Sequence, residues 1–117
     1  DLAVDARLVQ RALSNLLGNA TQHARRGTEV VVKIEKDGTL VWLLVVNQGA
    51  TIPSEHLARV FDRFYRVDAS RSGAGRNHGL GLAIVAAIAR MHGGQTTAKS
   101  ADGTTLIGLC INTPVRQ

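Results

Sequence analysis

The sequence predicts an α+β fold, a two-layer α/β sandwich in which two amphipathic helices cover one face of a mixed, mostly antiparallel sheet. Three observations carry this. Apolar residues recur at helical spacing in two segments, 6–25 and 80–92. Two strand-like pairs are each broken by a hairpin signal, Asp37-Gly38 and Asp102-Gly103. The order is therefore helix, two strands, loop, helix, two strands, and two helices with one apolar face each must bury it against the sheet.

Asp5 is placed to cap the first helix. From there Leu8, Val9, Ala12, Leu13, Leu16, Leu17, Ala20 and Ala24 form the apolar stripe, and Gly27 reads as the stop. Thr28–Glu35 alternates around Val30, Val32 and Ile34, which predicts a strand with one wet face. Leu40–Val46 is apolar on both faces and reads as a central strand. Ser54, after Pro53, reads as the cap of a short helix running to Arg59. Val60–Tyr65 is a compact aromatic patch, and 66–79 is a loop rich in glycine, serine and arginine. The second long helix ends at Gly93-Gly94. Gln95–Lys99 and Thr104–Asn112 then form the second strand pair.

Composition narrows the function. The chain has 117 residues, a one-domain length, and at 44% hydrophobic it can build a core. Aromatics are only 3%, so that core is aliphatic. No apolar run approaches the roughly 18 residues of a membrane span. The single cysteine, Cys110, lies in an apolar strand and reads as a buried, inert thiol. A net charge of +5 invites a nucleic-acid partner, but no aromatic platform accompanies the arginines, and no nucleic acid is expected. Arg66, Arg71 and Arg76 lie in the glycine-rich loop, where a nucleoside triphosphate accounts for them equally well.

Arg11, Asn15, Asn19 and the Gln22-His23 pair form a polar edge along the first helix. Asparagine competes with the helix backbone for hydrogen bonds, so two of them a turn apart suggest a role. Their carboxamide oxygens are hard, neutral ligands suited to Mg²⁺. An ordinary solvated helix face presents the same stripe. Asn47-Gln48-Gly49-Ala50-Thr51-Ile52-Pro53 leaves a buried strand through a glycine. Gly79-Leu80-Gly81-Leu82 opens a helix, where free N–H groups favour phosphate.

These motifs resemble those of sensor histidine kinases. Asn15–Ala20 resembles the N box, Asn47–Pro53 the first glycine box, Phe61–Arg66 the F box and Gly79–Val85 the second glycine box, in the family's order. The resemblance spans about residues 5 to 112. It implies the Bergerat-type ATP-binding fold shared with gyrase, Hsp90 and mismatch-repair ATPases, with ATP and Mg²⁺ as cofactors. It implies a single catalytic domain over 1–117, with the phosphoacceptor and dimerisation segment outside it and an edge strand before Asp1. The implied partners are that phosphoacceptor domain and a cognate response regulator. The implied location is the cytoplasmic face of the bacterial inner membrane, the isolated domain being a monomer.

Carried over by position, Asn19 is the implied Mg²⁺ ligand and Asn15 supports the metal or phosphates. His23 stands where many relatives stack an aromatic on adenine. Gln22 stands where many have Lys or Arg near the phosphates, leaving that charge to Arg66 and Arg71. Asn47 replaces the usual adenine-binding Asp, and Thr51 replaces a glycine of the first box. Gly49, Ile52, Phe61, Gly79, Leu80, Gly81 and Leu82 complete the implied ATP site. The motif form is similar to that of heavy-metal sensor kinases of the copper and silver type. Asn15 stands where ATPases of this fold carry a Glu general base, and an amide cannot accept a proton at neutral pH. Two alternatives remain: an ATP hydrolase or clamp of the same fold, and an interaction module that binds no nucleotide.

Overall fold

In the computed structural model, which describes residues 4–63 and 81–113, three helices and four strands follow in the order α1 (Ala6–His23), β1 (Val31–Asp37), β2 (Leu40–Gln48), α2 (Ser54–Leu57), α3 (Gly81–Met91), β3 (Thr96–Ala101) and β4 (Thr104–Asn112). The sheet order is β1-β2-β4-β3, and every pairing is antiparallel. Every pair among the described residues is antiparallel, in keeping with the mostly antiparallel sheet expected. The apolar run of β2 places it, with β4, at the centre.

Each local signal has a visible cause. Asp5 caps α1 by accepting from the N–H groups of Arg7 and Leu8. Asp102 and Gly103 both take positive φ, 53° and 80°, as a tight hairpin turn between β3 and β4 requires. The core forms where α1 and α3 cover β2 and β4: Ala12, Leu16, Ala20, Val85, Ile88 and Ala89 meet Leu43, Val45, Ile107, Leu109 and Ile111. Cys110 is buried as a free thiol, as its strand position predicts.

Three boundaries differ from the sequence expectation. Helix α1 stops at His23, short of Gly27, because Ala24 turns extended and Arg25 donates its N–H to the Gln48 carbonyl. Pro53, not Ser54, caps α2, and its carbonyl accepts from the N–H groups of His56 and Leu57. All seven residues of β1 are exposed, Ile34 by 67%, so the expected dry face is absent. The reason is position: β1 lies at the sheet edge, and α1 packs on β2. Only Val30, just before the strand, rests against the core.

Candidate functional site

The ends of α1 and β2 and the turn between β3 and β4 converge on one side of the sandwich. The contact that locks them is made by Gly49. A Cβ there would collide with the His23 backbone carbonyl, so only glycine lets the loop after β2 pass this close to the last turn of α1. Gly49 N–H donates to the Gly103 carbonyl at 2.8 Å, and Gly103 N–H donates to Thr51 Oγ1 at 2.8 Å. Thr51, which stands in place of a second glycine, thereby fastens the loop to the hairpin turn.

Side chains in β2 alternate, and Asn47 follows Leu43 and Val45 on the helix-facing side. It is only 4% exposed. Its register partner is Thr105 of β4, itself buried, and directly opposed residues share one face of the sheet. Thr105 Oγ1 lies 2.7 Å from Ser100 Oγ, which accepts from the N–H of Ile52 at 2.9 Å. This chain of hydrogen bonds fixes the loop, β3 and β4 around Asn47. The carboxamide of Asn47 has no hydrogen-bond partner among the described residues. Among the described residues the one fully buried side-chain atom without a partner is Asn112 Oδ1, so the Asn47 amide keeps access to water or a ligand.

Asn19 is half-buried on α1, and its carboxamide likewise has no partner among the described residues. It is a hard oxygen donor free to face a cation, so the residues present fit Mg²⁺. His23 is exposed, and its Nδ1 lies 2.9 Å from the Asn19 carbonyl, which holds the ring back along the helix. Gln22 is exposed beside it. Asn15 is half-buried, and its Nδ2 donates to the carbonyl of Gly81, the first residue of α3, at 3.2 Å.

The structure therefore joins Asn19, His23, Asn47, Gly49 and Ile52 around one end of the fold, with Asn15 linking it to α3. Leu82 packs against the core. Phe61 also rests on the core and lines an open hollow of about 570 Å³ with Ala83, Ala87 and Arg90. Neither Asn19 nor Asn47 borders that hollow. Arg66, Arg71, Gly79 and Leu80 lie outside the described residues.

Thr105 and Ser100 belong to the site and are missing from the sequence candidates. The signal was present in Asp102-Gly103-Thr104-Thr105, a hairpin turn running into two threonines. Only the register shows that the second threonine, not the first, faces Asn47.

Comparisons with known proteins agree with this fold. The model of the histidine kinase-, DNA gyrase B-, and HSP90-like ATPase family matches residues 4–115. Sensor histidine kinase CusS of Escherichia coli K12 is 45% identical over 107 residues, covering 91% of this chain and 22% of the relative. Probable sensor kinase SilS of Salmonella typhimurium is 43% identical over 96 residues, covering 82% of this chain and 19% of the relative. The chain thus spans about a fifth of the length of these relatives. A solved structure of the mycobacterial sensor histidine kinase MprB superposes with a TM-score of 0.82 at 32% identity, over 96% of this chain and 77% of that one. With the buried Asn47–Thr105 pair at the end of an antiparallel sheet and the family model covering nearly the whole chain, the protein belongs to the histidine kinase-, DNA gyrase B- and HSP90-like ATPase family, as the ATP-binding catalytic domain of a sensor histidine kinase.

Proposed function

We propose that the chain binds Mg·ATP at the polar end of the sandwich and delivers the γ-phosphoryl group to a histidine on a separate phosphoacceptor and dimerisation domain of the same kinase. That phosphohistidine then supplies a cognate response regulator. The observation that carries this reading is Asn47: a carboxamide 4% exposed, set against Thr105, without a partner among the described residues. Its oxygen can accept from the adenine amino group, and its NH₂ can donate to a ring nitrogen. The glycine at 49 keeps the wall beside it flat.

Asn19 would hold Mg²⁺. The ion would neutralise phosphate charge and orient the γ-phosphoryl group for in-line transfer. The chain's own contribution is positioning and electrostatics. Asn47 and Thr105 orient the base, and the first-turn N–H groups of α3 face the anion. Asn15 cannot act as a general base, and its Nδ2 is already donating to Gly81. This favours phosphoryl transfer to an outside nucleophile over hydrolysis.

The motif form, similar to copper and silver sensor kinases, supports a heavy-metal-responsive parent system at the cytoplasmic face of the inner membrane. Cys110 is buried in β4, Met91 is exposed on α3, and among the described residues no three His, Cys, Asp or Glu side chains cluster for a metal.

The test is to mix the chain with the parent's phosphoacceptor domain and γ-labelled ATP. Acid-labile, alkali-stable label on the phosphoacceptor histidine, with negligible phosphate release by the chain alone, is the expected result. Rapid hydrolysis by the chain alone, without transfer, would establish the hydrolase alternative.

A further inference from the structure

The contact between Asn15 and Gly81 carries a role distinct from metal or phosphate binding. Asn15 lies on α1 between Ala12 and Leu16, which are 0% and 1% exposed, so its backbone is fixed by the core. Gly81 begins α3, and Val85, one turn on, is 0% exposed. The Asn15 Nδ2–H donates across 66 residues of sequence to the Gly81 carbonyl at 3.2 Å, in a half-buried setting. The second lone pair of that carbonyl remains for the helix's own hydrogen bond.

The geometry points to Asn15 as a positioning residue, whose amide donor sets the first turn of α3 against α1 and so aims that turn's free N–H groups. The first N–H groups of any helix lack partners within it and form an anion site only if they converge on the anion. Side-chain packing fixes α3 well at Val85, Ile88 and Ala89, but Gly81 has no side chain with which to pack. A hydrogen bond to its carbonyl anchors that first residue, while Leu82 beside it rests on the core. The amide is required for this. A carboxylate of the same shape accepts only, and would set a negative oxygen against the carbonyl oxygen.

The inference rests on the ATP-binding reading for its consequence, but not for its first test. Amide exchange at Val85 and Ala86, whose helical acceptors are the carbonyls of Gly81 and Leu82, is measured by NMR in the nucleotide-free chain for wild type, Asn15→Asp and Asn15→Ala. Loss of one anchoring hydrogen bond is expected to speed exchange there by about three- to ten-fold in both variants, while Leu109 keeps its wild-type rate. The second arm measures ADP affinity in EDTA. It is expected to fall by a similar factor in both variants, because the defect lies in the phosphate-facing turn and needs no metal. Unchanged exchange at Val85 and Ala86 in both variants would overturn the inference, as would an affinity loss seen only with Mg²⁺. If wild type bound no nucleotide at all, the ATP-binding reading would fail while the exchange arm still decided the anchor. Asn15→Ala guards against a folding failure of Asn15→Asp, since it removes the donor without adding charge.

Discussion

The two ends of the α1–α3 helix pair are built on opposite principles. At the base, where α1 begins and α3 ends, a buried imidazole ties the elements together, although Asn112 Oδ1 beside it is buried without a partner among the described residues. His92, 7% exposed, accepts from the Asp5 N–H through Nε2 at 3.0 Å, and its Nδ1 lies 2.8 Å from the Ile88 carbonyl. Its own carbonyl accepts from the Asn112 N–H at 2.9 Å. One buried imidazole therefore ties α1, α3 and β4 together. Because Asp5 N–H can only donate, the ring there is the Nδ1–H tautomer. At the other end Asn47 and Asn19 are set into the fold with carboxamides open among the described residues. The base uses polarity to hold the fold, while the far end keeps polar groups open for a ligand. The division predicts that mutations at the two ends should separate stability from binding.

The largest effect on stability belongs to the base. His92→Ala removes a buried ring and leaves the Asp5 N–H without its partner, and should destabilise by about 2–4 kcal/mol. Thermal denaturation would measure it. Nucleotide affinity measured well below the variant's lowered Tm should stay within about two-fold. A joint loss of both would dissolve the distinction between the ends.

Asn47→Leu should show the reverse pattern. It removes the adenine-reading amide and should weaken nucleotide binding by about 1–3 kcal/mol. It replaces a polar side chain on a residue only 4% exposed by an apolar one of similar size, so the Tm should change little. Calorimetric titration beside a melting curve reads both. Equal affinity in wild type and variant would remove Asn47 from the site.

The smallest effect is expected from Asn47→Asp. A carboxylate accepts the amino-group bond with charge assistance, so binding should be retained or tightened. A large loss would mean that the Asn47 NH₂, not its oxygen, makes the decisive bond.

Much of this division can be read from sequence, and what cannot has a physical cause. The apolar spacing from Leu8 to Ala20 places α1, and Asp37-Gly38 and Asp102-Gly103 place both hairpins, because these signals are local. Asn19 and Asn47 are legible because asparagine is unusual inside a helix or a buried strand, and Gly49 because it lets the chain leave that strand. Thr105 is not, since its place opposite Asn47 depends on the β2–β4 register, a contact between segments more than fifty residues apart. The exposure of Val32 and Ile34 is hidden for the same reason: alternation shows that a strand has two faces, but not whether a helix covers either. His92 reads from sequence only as a surface or packing residue, and its bond to Asp5 spans 87 positions.

We propose that the open end is a Mg·ATP site with Asn19 as metal ligand. It is tested most directly by titrating ATP into wild type and Asn19→Ala, each with and without Mg²⁺. Wild type should bind ATP, Mg²⁺ should tighten this binding, and Asn19→Ala should lose the Mg²⁺-dependent gain while keeping its fold by circular dichroism. An identical response to Mg²⁺ in the two proteins would contradict the metal assignment. No ATP binding by wild type under either condition would contradict the site itself.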